Sequence, residues 1–314
     1  MRALALALLL LAPAVPARAL GRADKGTSAA AFLKIPAGAR PAAMGDAFGG
    51  LADDAHAANY NPAGLAFLEA VEAAATHDSH FQGLNHEYGV LAVPLLSLRD
   101  TRLKRNAWGV AAFSVKTLGA SDIERRGLVE TDAPVGTFGA SDVSYALSYG
   151  RLVVGGLAAG GTVKLVEQTL DSANGRTAAS DAGLLWRGGR VSAGAGWRNL
   201  GGKLALGSTA APLPLTLYAG GSLRPAPGIL LAVEVRLPRD DAPRFSAGAE
   251  LSRKFGTLSA AARAGWNASN READGFGGFT FGGGVAYGRL GVDFAMLPFG
   301  DLGAAYHTTI RIRF

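Results

Sequence analysis

The chain has 314 residues, 44 glycines, no cysteine and a formal net charge of +6 at pH 7. Without cysteine, disulfides, thiolate chemistry and acylation as a lipoprotein are all excluded. Two of the basic residues, Arg2 and Arg18, fall in the leader, and the remaining excess is too small to argue for nucleic acid.

In chain order, Arg2, the apolar run Ala3 to Leu11 and the small-x-small pattern Ala17-Arg18-Ala19 predict a secretory signal peptide over residues 1–19. The run falls short of the roughly 20 residues a spanning helix needs. Residues 20–31 read as a loose periplasmic leader. Phe32 to Leu68 is rich in Ala and Gly and shows no strand-like alternation. Pro41 suits the first turn of a short helix through Ala42, Ala43 and Met44, which Gly49-Gly50 would break. Asn61 is a good N-cap and Pro62 a good first helical residue, because proline lacks the N–H that would go unpaired there. A stretch this long without regular structure is uncommon unless it has a function.

From Glu69 to Phe314 the character changes to short alternating segments separated by turns. About fourteen strands are predicted. They centre near Ala73, Val90, Ala111, Tyr145, Gly160, Gly183, Ala195, Leu217, Val233, Gly248, Ala262, Phe281, Phe294 and Ile310. Tyr306, Thr308, Ile310, Ile312 and Phe314 fall on one face of the last, with Ala305, His307, Thr309, Arg311 and Arg313 on the other. Ile229 to Leu237 and Leu290 to Met296 repeat the pattern, whereas the strands near Ala111 and Gly160 alternate poorly. Period two with charge on one side places lipid outside and a polar lumen inside. Tight connections are predicted at Gly150-Arg151, 187–190, 224–228, 253–256 and 287–289. Longer, more acidic ones alternate with them at Leu118 to Phe138, Gly201 to Pro212, Pro238 to Pro243 and Asn267 to Gly275. Short turns at one end and long loops at the other are the outer-membrane arrangement, and closure removes unpaired edges. A soluble β-sandwich would also show short alternating strands, but it accounts for neither the loop alternation nor a terminal Phe314.

The segment GTSAAAFLKIPAGARPAAMGDAFGGLADDAHAANYNPAGLA resembles the N-terminal signature of the PorV/PorQ family. SDAGLLWRGGRVSAGAGWRNLGG and PLPLTLYAGGSLRP are similar to that family's barrel strands, and LGVDFAMLPFGDLGAAYHTTIRIRF resembles its C-terminus. The likeness covers nearly the whole chain after the leader. The family is related in fold to the FadL fatty-acid transporters, so the resemblance implies an all-β, fourteen-stranded antiparallel transmembrane barrel with a small, partly helical N-terminal hatch in its lumen. The implied organisation is leader and hatch over residues 20–68 and barrel over 69–314. Asn61, Pro62 and Ala63 match the NPA element of a FadL-type hatch, and Phe314 stands as the C-terminal barrel signal. PorV members in Bacteroidetes serve type IX secretion by binding exported cargo.

Several side chains carry chemistry of interest. Glu234, Arg236, Glu250, Arg263, Asp293, His307, Arg311 and Arg313 fall on the predicted lumen face. They read as an interlocking charge network that anchors the hatch, with a selectivity lining as the alternative. His77, Asp78, His80 and His86 read as a solvated loop and not as a metal site. No G-x-S-x-G, H-E-x-x-H or phosphate-loop motif occurs, and nothing orients a third partner for Ser141 or Ser144 with His307, so catalysis is not expected. Trp108, Trp186, Trp197 and Trp266 lie toward strand ends, where interfacial girdles form. No cofactor or metal is expected. The expected setting is the bacterial outer membrane, with its lipid and the barrel-assembly machinery as partners. The expected role is a non-enzymatic docking or assembly component that binds a secretion-system or exported protein. The alternative is a FadL-like passive transporter of hydrophobic small molecules such as long-chain fatty acids.

Overall fold

The alternation from residue 72 onward produces strands, because every second side chain can then face lipid while its neighbours face inward. The computed structural model describes residues 24–80, 83–95, 108–129, 131–270 and 275–314; the predicted signal peptide, residues 1–19, lies outside them. The first strands are β1 (Glu72–Ser79), β2 (Asn85–Pro94), β3 (Val110–Arg125), β4 (Gly136–Val154), β5 (Leu157–Leu170), β6 (Ala173–Gly188) and β7 (Val191–Gly201). A small hairpin, β8 (Lys203–Leu206) and β9 (Thr209–Pro212), forms a sheet of its own and packs on the wall through Leu204. The wall resumes with β10 (Thr216–Leu223), β11 (Ile229–Pro238), β12 (Arg244–Phe255), β13 (Leu258–Asn267), β14 (Phe279–Tyr287), β15 (Leu290–Pro298) and β16 (Ala304–Arg313).

All neighbours pair antiparallel, and β1 pairs with β16 from Glu72↔Arg313 to Ser79↔Tyr306, closing a fourteen-stranded barrel. This is the predicted fold class, and each predicted strand centre falls within one of these strands. Closure settles the choice against a sandwich, since it leaves no open edge. The poor alternation near Ala111 and Gly160 has a local cause. β3 to β5 carry small residues facing inward, where the N-terminal segment presses against them.

Three predicted connections are corrected. Gly150-Arg151 is not a turn: β4 continues to Val154, and Gly155-Gly156 turns the chain, with φ of 54° and 82°. Two consecutive glycines at positive φ suit a two-residue hairpin loop better than Gly-Arg within an alternating row. Leu118 to Phe138 is largely strand, and only residues 126–135 connect β3 to β4; the ladder continues past an irregularity between Ala120 and Ile123, where Asp122 takes φ 57°. Gly201 to Pro212 holds the β8–β9 hairpin. The alternation of loop length also has two exceptions. The β5–β6 connection at the long-loop end is only residues 171–172, while the β2–β3 connection spans residues 95–109 at the short-turn end. About 9–11 residues of tilted strand cross a bilayer. The 16, 19, 14 and 16 residues of β3 to β6 therefore raise one side of the wall beyond it.

Residues 24–70 precede the wall and pack within it. The segment forms 3-10 turns at Ala31–Lys34 and Pro62–Phe67, with α1 (Ala39–Ala43) and α2 (Ala57–Tyr60) between them. Pro41 falls in α1, and Asn61 caps the turn that starts at Pro62 by accepting from the Ala63 N–H. The leader is not a loose periplasmic tail over its described part. Ala29 N donates to Pro212 O and Ala30 N to Gln168 Oε1, both at the long-loop end. Phe32 and Leu33 are buried there with Val166, Leu204 and Leu213, which is apolar surface enough to hold the chain at that end. The segment then runs through the lumen and leaves at the short-turn end to enter β1.

Candidate functional site

The lumen is filled by a segment that joins no β-ladder, so its backbone polar groups must find other partners. Wall side chains supply many of them. Arg187 donates to Leu51 O and Ala52 O, both at 2.9 Å, and lies over the Phe67 ring at 4.1 Å. Ser192 Oγ donates to Gly50 O at 2.5 Å, and Gly49 N donates to Glu234 Oε2 at 2.6 Å. Ala39 N donates to Thr309 Oγ1 at 2.8 Å, and Gly45 N to Thr280 Oγ1 at 3.0 Å. Lys116, on β3, donates to Ile35 O at 2.9 Å.

Asn61, Pro62 and Ala63 sit where the segment meets β4 to β7. Besides its cap, Asn61 donates through Nδ2 to Gly49 O at 2.8 Å and to Leu184 O at 3.1 Å, so one amide ties two parts of the segment to the wall. Pro62 lies against the backbone of Gly150 and Gly160, where a Cβ on either glycine would overlap the Pro62 carbonyl group. Gly265 receives Gly45 in the same way on the opposite wall. Glycine in these strands marks close approach of a second backbone.

The eight lumen charges fall into separate groups. Arg40, from the segment, pairs with Glu250 (2.8 Å), Asp53 (2.6 Å) and Asp54 (2.9 Å). Glu250 also pairs with Arg263, and Asp293 pairs with both Arg263 and Arg311, each at 2.7 Å. Among the described residues, Arg263 and Arg311 thus reach the segment through these carboxylates. Arg236 pairs directly with Asp46 of the segment, while Glu234 pairs with Arg198 at 2.5 Å. Arg313 pairs with Glu72 at the short-turn end. His307 Nε2 lies 3.4 Å from Asp78 Oδ2, and His86 Nδ1 lies 3.5 Å from that same oxygen. Phe314 is exposed, its N–H donating to Val71 O at 2.9 Å.

The solvated-loop reading of His77, Asp78, His80 and His86 needs correction. His77 is exposed and paired with Glu87, but Asp78 and His86 are fully buried, because alternation along β1 and β2 turns them inward. Among the described residues, no group of three or more His, Cys, Asp or Glu is placed to hold a metal ion. Ser144 is buried and Ser141 exposed, and no hydrogen bond joins either to His307 among the described residues.

Two charges of the segment are strongly perturbed. Burial would raise the Asp54 carboxyl, but His56, which bonds it at 3.0 Å, and Arg40 hold it well below the usual carboxylate range. Burial would likewise lower the Arg40 guanidinium, yet Asp53, Glu250 and Asp54 together raise it further above its ordinary value.

Beneath the long-loop end lies a cavity of about 310 Å³. Its lining combines apolar Leu33, Ile35 and Phe299 with charged side chains of both signs, the cations Lys164, Arg198 and Arg236 and the acids Asp46, Asp240 and Asp241, and Lys164 is paired with Asp181 at 2.7 Å. Tyr60 and Asp46 of the segment form part of its floor, joined by a 2.5 Å hydrogen bond. Arg198 sits 4.5 Å from the Tyr218 ring and 5.5 Å from that of Tyr60. A second cavity of about 220 Å³ opens on the other side of the segment, beside Asp54, His56, Glu72 and Arg313. The segment thus separates two spaces.

Sequence reasoning missed the segment's own charges, Arg40, Asp46, Asp53 and Asp54, and the wall partners Glu72, Arg187, Arg198 and Arg224. A signal was present, since these four charges, with Lys34, fall within an otherwise Ala- and Gly-rich stretch and need partners once buried.

The wider comparisons agree with this architecture. The toluene transporter TbuX of Ralstonia pickettii superposes with a TM-score of 0.57 at 14% identity, covering 88% of this chain and 98% of that one. A FadL homologue of Pseudomonas aeruginosa gives 0.58 at 10% identity, covering 89% and 99%. The toluene transporter TodX of Pseudomonas putida gives 0.50 at 12% identity, covering 86% and 95%. At these identities the likeness establishes a FadL-like fold, and a large barrel of this kind belongs in an outer membrane. No curated protein matches the chain. The model of the uncharacterised protein family UPF0164 matches residues 11–195.

Proposed function

This chain belongs to the uncharacterised protein family UPF0164, and from that premise we propose that it is a passive outer-membrane transporter of small hydrophobic or amphiphilic molecules. In this reading residues 27–64 act as its hatch. The observation that carries the reading is the cavity of about 310 Å³ beneath the long-loop end, lined by apolar and charged side chains together and floored by the segment. Such a space accepts an apolar body and orients a polar end, as small-molecule sites do. The transport described for TbuX and TodX, toluene in both cases, supports the same class of cargo. In this scheme Asn61, Pro62 and Ala63 fix the hatch to the wall, and the ion pairs of Arg40 and Arg236 hold it until cargo enters.

A PorV/PorQ-type docking role for exported protein is the second reading. It draws on the exposed Leu128, Val129 and Val135 between β3 and β4, on the raised side of the wall. Uptake separates the two. Cells producing the barrel are expected to take up toluene or a long-chain fatty acid faster than cells without it. Unchanged uptake of both, together with recovery of an exported protein bound to the barrel, would favour docking.

A further inference from the structure

The short-turn end of the barrel carries a one-sided charge. Its described turns are residues 155–156, 189–190, 224–228, 256–257 and 288–289, and none contains an acid. Basic side chains stand at or beside each of them: Arg151, Arg190, Arg224, Arg253 with Lys254, and Arg289. The connections of the opposite end instead include Asp171, Asp240, Asp241 and Asp301.

Arg224 turns inward to Asp53, but the others are not engaged with the lumen. Arg151, Arg190, Arg253, Lys254 and Arg289 are exposed, and none has an anionic partner among the described residues. Arg190 reaches only the Pro225 carbonyl, at 3.1 Å, and the Arg253 guanidinium lies 5.3 Å from the Phe255 ring. Their position along the strands is equally informative. Arg151 follows the outward row Tyr145, Leu147 and Tyr149, and Arg253 stands between Leu251 and Phe255, all exposed. Arg190 precedes exposed Val191, and Arg289 lies between exposed Tyr287 and Leu290. Exposed Leu152, Val153 and Val154 follow Arg151 before the turn, so the cations are interleaved with the last apolar and aromatic side chains of the belt, as at the level of lipid headgroups.

We propose that this rim is a collar for anionic glycerophospholipid headgroups of the leaflet facing the short turns. A guanidinium fork matches phosphate oxygens, and although Glu69 and Glu72 stand at this end where the chain enters β1, Glu72 is paired with Arg313 and the turns themselves contain no acid to occupy those forks. The inference rests on the outer-membrane reading of the barrel and is independent of what the lumen carries.

The test reconstitutes the full chain in vesicles of phosphatidylcholine mixed with phosphatidylglycerol, extracts it in mild detergent and identifies retained lipid by mass spectrometry. Phosphatidylglycerol is expected to be enriched over its bulk share by roughly fivefold or more, and high salt is expected to abolish the enrichment. The variant R151Q/R190Q/R253Q/R289Q should retain lipid in bulk proportion, whereas the matching four-lysine variant should keep most of the enrichment. Arg125→Gln with Arg126→Gln, at the opposite end, should change nothing. Bulk-proportion lipid on the unaltered barrel overturns the proposal, as does enrichment that survives the four glutamines or high salt. The salt series needs no substitution, so it decides the matter even if the glutamine variant fails to insert. A barrel that inserts without headgroup preference contradicts the collar alone and leaves uptake untouched. Capture of an acidic protein by the rim, with no lipid preference, likewise overturns it.

Discussion

In the wall, each strand is fixed by a continuous ladder to two neighbours, and the register repeats along its whole length. Between residues 31 and 68 nothing pairs in a ladder; short turns, glycine-permitted backbone contacts, hydrogen bonds from wall side chains, ion pairs and buried apolar side chains hold the chain. Loss of one ladder bond is shared among many. Loss of one Arg40 or one Asn61 removes several anchors at once. The wall is thus held by shared ladders, and the segment by side-chain, backbone and apolar contacts, several of which converge on Arg40 and Asn61.

The comparison can be broken most severely at Arg40. Arg40→Ala would strand Asp53, Asp54 and Glu250 in the lumen, a loss of about 3–5 kcal/mol of local stability for a buried ion set. Amides of residues 39–60 are expected to lose hydrogen-exchange protection while β11 and β15 keep theirs. Next comes Gly160→Val, which drives a side chain into the Pro62 backbone and costs about 1–3 kcal/mol through overpacking. A protease cut within the segment should become faster, with heat-modified mobility of the barrel unchanged. The smallest expected effect is that of Asn61→Ala, about 1–2 kcal/mol for a lost cap and two backbone acceptors left without their amide. Denaturant titration of segment and wall, followed by separate probes, should show the shift in the segment alone.

These two regions were also unequally legible. The wall was readable because a period of two exposes the face of most of its strands, as Ile229 to Leu237 and Tyr306 to Phe314 did. The errors there came from turn chemistry: Gly150-Arg151 was read as a turn, but Gly155-Gly156 makes it. The segment was recognisable only as a stretch without strands. Its path from the long-loop end to the short-turn end depends on Phe32 and Leu33 finding Leu204 and Leu213, contacts distant in sequence that no local pattern encodes. The lumen charges were visible on one side only. Glu250, Arg263 and Asp293 could be placed on inward faces by alternation, whereas their link to Arg40 required knowing where the segment lies. Asp78 and His86 were misread because charge near a turn usually means solvent, and here the barrel turns both inward.

The central claim is that the segment closes the lumen. Removing residues 27–64 from the chain and reconstituting both forms in liposomes tests it by permeability to small solutes. The full chain is predicted to leave the liposomes nearly tight, and the shortened one to insert and leak. Equal permeability of the two inserted forms would contradict the account.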